Sequence, residues 1–204
     1  MSSARPDRKP LLRLARAGDA QALGQLLEGY RNYLELLARL EVGRRLQGKL
    51  DPADLVQETF LGAYDGFGQF RGTTEEELLN WLRHSLASNI ASVGRRYWGT
   101  QRRNLRLERQ LADEMDRSSR VLDQGFVAKG SSPSHQAARH EQAVLLADAM
   151  KQLPEHYREV IILRQLEGLR FPEVAKRLGR SVDGTKKLWI RALARLRLCL
   201  GGRP

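Results

Sequence analysis

The sequence predicts an all-α chain of two small helical domains joined by a flexible linker, and three observations predict it. Leu and Ala recur at helical spacing almost throughout, runs of Val, Ile, Thr or aromatics with period two are scarce, and one polar stretch rich in Ser and Gly interrupts the pattern. With 204 residues, 41% hydrophobic but only 6% aromatic, the chain suits two modest Leu-rich cores better than one large one. Its formal net charge of +11 exceeds what solubility requires and points to a polyanionic partner.

The elements follow in order. From Leu11, a short helix is expected ahead of a longer amphipathic one, in which Leu23, Leu26, Leu27 and Tyr30 share a face and Asp19 caps after Gly18. A second long helix opens at Asp51-Pro52, where Asp51 caps and Pro52 suits the first turn. Its buried stripe is expected at Val56, Thr59, Phe60, Ala63 and Phe67, leaving Asp54, Gln57 and Glu58 on the opposite face. Gly66, Gly68, Arg71 and Gly72 break the pattern, and Thr74 with Glu77 forms a capping box for a third helix lined inside by Leu79, Leu82, Leu86, Ile90 and Val93. These helices form a first domain over residues 10–98. Residues 99–140 read as a basic extension and flexible linker containing the acidic run DEMD, with helical periodicity fading after Leu111. Patterning returns over 141–200, broken at Leu153-Pro154, Gly168 and Gly179 into four helices.

The segment FPEVAKRLGRSVDGTKKLWIRALARLR carries the punctuation of a helix-turn-helix. Pro172 opens the first helix, Val174 and Leu178 face inward, small Ala175 lets the helices cross closely, and Gly179 permits a left-handed turn. Ser181 caps the second helix, whose inner residues are expected at Val182, Thr185, Leu188 or Trp189, and Ala192, leaving Lys186, Lys187, Ile190 and Arg191 outward between Arg180 and Arg195. From Lys176 onward there are nine basic residues against one acid, Asp183. A solvated helix face explains a charge run in general; here the bias coincides with a motif that fits the major groove, so DNA is the expected ligand. Lys and Arg serve phosphates and guanine edges alike, so the contacts are not assigned individually.

The pair of stretches DPADLVQETFLGAYDGFGQFRG with NWLRHSLASNIASVGRRYW, then LPEHYREVIILRQLEGLRFPEVAKRLGRSVDGTKKLWIRALARLR, resembles regions 2 and 4 of sigma-70 family factors. Their order, with no region 3 between, is similar to the extracytoplasmic-function group. The resemblance implies that 10–98 acts as region 2 and 141–200 as region 4. It implies RNA polymerase core as partner, through its beta-prime and beta subunits, with promoter DNA and an anti-sigma protein as further partners. Asp54, Gln57 and Glu58 would meet the beta-prime coiled coil. Phe70, Arg71, Asn80, Trp81, Arg83, His84 and Asn89, with the basic run Arg95, Arg96, Tyr97, Arg102 and Arg103, would melt and hold the minus-10 element, since unpaired bases need aromatic stacking and cations. Arg180, Ser181, Lys186, Lys187, Ile190, Arg191 and Arg195 would read the minus-35 element. Many relatives carry Gly-Thr-Val-Lys-Ser-Arg at this helix; Asp183, Gly184, Thr185, Lys186, Lys187 and Leu188 stand here.

Nothing proposes enzyme chemistry, a metal or a cofactor. His84, His135, His140 and His156 make no zinc-like spacing with Cys199, and no glycine-rich phosphate loop follows a strand. A single cysteine excludes an intrachain disulfide. No run approaches the roughly 18 apolar residues of a membrane span, and the cytoplasm is the expected location. Two rival readings stay open: a stand-alone regulator that binds an operator without polymerase, and a basic interaction module that directs no transcription.

Overall fold

A computed structural model describes residues 8–45, 50–98, 105–124 and 134–201; the side chains of 43–45, 95–98, 105–108, 123–124 and 134–139 lie outside the description. The element order is α1 (Arg8–Arg16), α2 (Ala20–Glu28), α3 (Arg31–Arg45), α4 (Pro52–Gly66), a 3-10 turn (Phe67–Gln69), α5 (Glu75–Trp98), α6 (Leu105–Gln124), α7 (Ser134–Lys151), α8 (Glu155–Ile161) running into a π turn (Ile162–Leu166), α9 (Phe171–Arg177) and α10 (Val182–Cys199). Every described element is helical, and the chain divides into two compact units, Met1–Asp116 and Arg117–Pro204.

In the first unit, the helix starts follow from the caps. The Asp19 carboxylate accepts from the Gln21 and Ala22 amides at 2.9 and 3.0 Å, after Gly18 turns the chain at φ +96°. Asp51 accepts from the Ala53 amide at 2.8 Å ahead of Pro52. Glu77 accepts from the Thr73 and Thr74 amides at 2.7 and 3.0 Å, and the Glu77 amide donates back to Thr74 Oγ1, closing the box that starts α5. These backbone bonds from Thr73 and Thr74, with the Thr74 hydroxyl behind them, hold the Glu77 carboxyl below its usual range.

The expected stripes of α4 and α5 are all buried, and with Leu26, Tyr33, Leu34 and Leu37 from α2 and α3 they make the core. α4 packs against both α3 and α5. One polar bolt crosses that layer: Asn89 Nδ2 donates to Leu55 O at 3.0 Å and to Thr59 Oγ1 at 3.3 Å, while Thr59 Oγ1 donates to Leu55 O at 2.7 Å.

The long helix expected after Asp19 is two helices, broken at Gly29-Tyr30. Glycine is the costliest residue to hold in a helix interior apart from proline, and the break is held from outside. Arg8 Nη2 donates to Gly29 O at 3.1 Å, and its guanidinium lies over the Tyr30 ring at 4.8 Å. The stretch expected as linker carries α6 and the start of α7. In α6, Leu111, Met115, Ser118 and Leu122 are buried at helical spacing. Two serines, Ser118 and Ser119, sit among the buried positions, and that hid the period from a reading based on apolar residues.

The second unit packs α10 against α7, α8 and α9. Arg158 locks the end of α7, donating from Nε to Met150 O and from Nη2 to Leu153 O, each at 2.9 Å. Val160, Ile161, Val174, Leu188, Ala192 and Leu196 fill its interior. Among the described residues no helix is long and apolar enough to cross a membrane.

Candidate nucleic-acid interfaces and a docking face

The turn between α9 and α10 is built by one glycine and one serine. Gly179 takes φ +61°, where a side chain would be strained, and the Arg180 amide donates to Ala175 O at 2.9 Å to close the end of α9. Ser181 Oγ accepts from the Gly184 amide at 3.1 Å, and Thr185 Oγ1 donates to Ser181 O at 2.9 Å, starting α10. Thr185, Leu188, Ala192 and Leu196 then point inward. Leu188 takes the inner place and Trp189 is half-buried, its ring edge-on to Phe171 with centroids 5.7 Å apart. Val182, expected inside, is 39% exposed, because the cap at Ser181 sets the first turn on the rim of the core.

The outward side of α10 matches expectation. Lys186, Lys187, Arg191 and Arg195 are exposed, with Arg180 and Ser181 at the turn, and Ile190 stands 61% exposed among them. Lys187 Nζ meets Asp183 Oδ2 at 2.8 Å, and this bond and charge, with Lys186 nearby, lower the Asp183 carboxyl below its usual range.

In the first unit an aromatic trio forms where the 3-10 turn meets α5. Phe67 and Phe70 stack with centroids 5.6 Å apart, and Trp81 stands 6.2 and 5.3 Å from them. Gly72 leaves room here for the tip of the Phe70 ring, which a Cβ would push aside. Beside the trio lies a cavity of about 320 Å³, lined by Tyr64, Phe67 and Phe70 and bordered by Arg16, Asp19 and Arg71. Arg71 Nη1 donates to Gly68 O at 3.1 Å. Sequence reasoning named Phe70 and Arg71 but not Arg16 or Tyr64, because helix α1 reaches this wall only through the tertiary fold.

The other expected promoter residues have separate surroundings. His84 is exposed, its Nδ1 2.8 Å from Asn80 O. Arg83 is turned inward instead of out: it is 8% exposed, bonded to Asn80 Oδ1, 3.4 Å from Tyr33 Oη, and paired with Asp116 Oδ1 at 3.4 Å. Its place on α5 beside α3 puts it in the packed layer, and Asn89 faces α4 for the same reason. Arg95, Arg96 and Tyr97 belong to α5 but their side chains lie outside the described residues, as do Arg102 and Arg103 entirely.

On α4, Asp54, Gln57 and Glu58 are exposed on one face, with Gln57 Oε1 accepting from Arg31 Nη2 at 3.1 Å. Leu61, 60% exposed, and Tyr64, 47% exposed, extend it. Helical spacing from Gln57 and Glu58 would have found both, had apolar residues been sought on the solvent side.

Among the described residues, the chain thus pairs a basic helix-turn-helix with a separate helical unit that carries an aromatic-walled cavity. Residues 143–196 match the family model "Sigma-70, region 4". The chain is 27% identical over 89% of its length to the ECF RNA polymerase sigma-E factor of Haemophilus influenzae, covering 89% of that protein. It is 30% identical over 90% of its length to the "Probable RNA polymerase sigma factor RfaY" of Xanthomonas campestris pv. campestris, of which it spans 41%. Among solved structures, that of CnrH in complex with the cytosolic domain of CnrY matches 96% of this chain and 98% of its own at 26% identity, with a TM-score of 0.33. Over about nine-tenths of its length the chain is similar to extracytoplasmic-function sigma factors, and within its C-terminal unit it matches region 4 of the sigma-70 family.

Proposed function

We propose that the chain is a promoter-specificity subunit that docks on RNA polymerase core and directs initiation by reading minus-10 and minus-35 elements. The observation that carries this reading is one chain combining a basic helix-turn-helix with a second unit whose cavity is walled by aromatic rings and bordered by two arginines. An operator-binding regulator needs the first and has no use for the second. The names of the Haemophilus and Xanthomonas relatives describe the same role.

In this reading residues 10–98 act as region 2 and 141–200 as region 4, with 99–140 between them. The α4 face of Asp54, Gln57 and Glu58 meets the beta-prime coiled coil, with Leu61 as an apolar anchor inside a polar ring. Taking a base out of a duplex costs a few kcal/mol, and stacking it on an aromatic ring returns about 1–3 kcal/mol. Tyr64, Phe70 and Trp81, backed from the core by Phe67, supply the rings, Arg16 and Arg71 the cations, and the basic end of α5 with Arg102 and Arg103 grips phosphates. Arg83 and Asn89 act from inside, by holding α5 in place. Lys186, Lys187, Ile190, Arg191 and Arg195 enter the major groove at the minus-35 element. The chain contributes binding energy and strand separation in the cytoplasm, and nucleotidyl transfer stays with the polymerase. A protein inhibitor covering these faces is the regulatory partner that fits.

Transcription in vitro with purified core on a genomic fragment library tests the reading. Start-site-selective RNA is expected, with weak promoter binding until core is added. Tight operator binding by the chain alone, with no selective RNA, overturns it.

A further inference from the structure

Asp183 is the acid that the proposed function leaves without a part. It stands in the first turn of α10, and residues three, four and seven positions on, Lys186, Lys187 and Ile190, share its face. Its side chain is 75% exposed and that of Lys187 is 68% exposed, so their 2.8 Å ion pair adds almost nothing to folding. An acid in a first helical turn also favours the helix dipole, which is the ordinary use of such a residue. Yet this one lies on the face that would meet a polyanion, where a carboxylate opposes binding unless it recognises something.

The major-groove edge of a G·C pair offers what this ion pair complements. Guanine O6 and N7 accept, and cytosine N4 donates. O6 and N4 are themselves hydrogen-bonded, so they lie about 3 Å apart, close to the separation at which Asp183 and Lys187 hold their charged ends. An A·T pair reverses the polarity, with a donor on the purine and an acceptor on the pyrimidine.

We propose that Asp183 and Lys187 together read one G·C pair of the minus-35 element, Lys187 donating to guanine and Asp183 accepting from the cytosine amino group, with Asp183 the specificity-determining half. This rests on the reading of α10 as the minus-35 helix. On any other sequence the ion pair meets no complementary edge, and Asp183 keeps the Lys187 charge from the phosphates.

The test uses the full chain with polymerase core. The preferred minus-35 duplex is first selected from a random library, and each of its positions is then replaced in turn. The wild type loses about 10-fold or more in affinity when one particular G·C pair becomes A·T. Asp183→Ala reduces that penalty to under about 3-fold, leaves the penalties elsewhere unchanged, and steepens the salt dependence on unrelated duplex by about one unit of log–log slope, as Lys187 gains a phosphate. Asp183→Glu, which keeps the charge, restores the positional penalty. A helix-dipole role would move every position together, so penalties that fall uniformly, or a profile superimposable on the wild type, overturn the proposal. A wild-type holoenzyme that selects no element at all overturns the underlying reading instead, before any variant is made.

Discussion

Lys186 and Lys187 are exposed neighbours on α10, so replacing both tests binding far more than the fold. Lys186→Ala with Lys187→Ala is expected to weaken minus-35 binding and to lower the salt slope by about 0.9 for each phosphate left unneutralised, with co-elution with core intact. Equal loss of both in footprint and pull-down would contradict the division of labour. Glu77 makes a different kind of statement. Its carboxyl is held low by the Thr73 and Thr74 amides, so its contribution to stability is fully present above the ordinary glutamate range and is lost as pH falls through the lowered value. Acid titration of wild type and Glu77→Gln should therefore diverge above the ordinary range and converge only below the lowered value. This cap was legible because Thr and Glu at that spacing have one good use. Arg83 was not, since nothing local distinguishes an arginine aimed at solvent from one drawn in by Tyr33 and Asp116.

At the scale of elements, the stripes of α4 and α5 could be read because their inner positions are apolar at helical spacing and their caps are unambiguous. The break at Gly29 and the helix over 105–124 escaped for opposite reasons: one continuous period hides a turn held by Arg8, and one real period is masked by buried serines. The join between α4 and α5 depends on Asn89. Asn89→Ala removes its donation to Leu55 O and Thr59 Oγ1 and should cost about 1 kcal/mol. A melting temperature lowered by several degrees, read by circular dichroism, is the expected outcome; an unchanged one would mean the amide is not holding the layer.

For the whole molecule, the division into two units gives each a core of its own and a tryptophan of its own in an aromatic contact, Trp81 with Phe70 in one and Trp189 with Phe171 in the other. Leu82 is fully buried in the first. Leu82→Ala should destabilise that unit by about 2–5 kcal/mol and move the unfolding transition reported by Trp81, leaving the one reported by Trp189. Trp→Phe changes at the other sites isolate each signal, and a single shifted transition for both would contradict separate cores.

α4 carries the exposed face of Asp54, Gln57 and Glu58, proposed for docking, near its start and, at Tyr64, one wall of the cavity near its end. From Asp54 to Tyr64 is ten residues, or about 15 Å of rigid rod. On the proposed reading the helix is therefore a ruler: whatever seizes one end dictates where a captured nucleotide must arrive at the other. A single inserted residue between them would swing the far mark by about 100°, leaving both ends chemically whole and the measurement between them false.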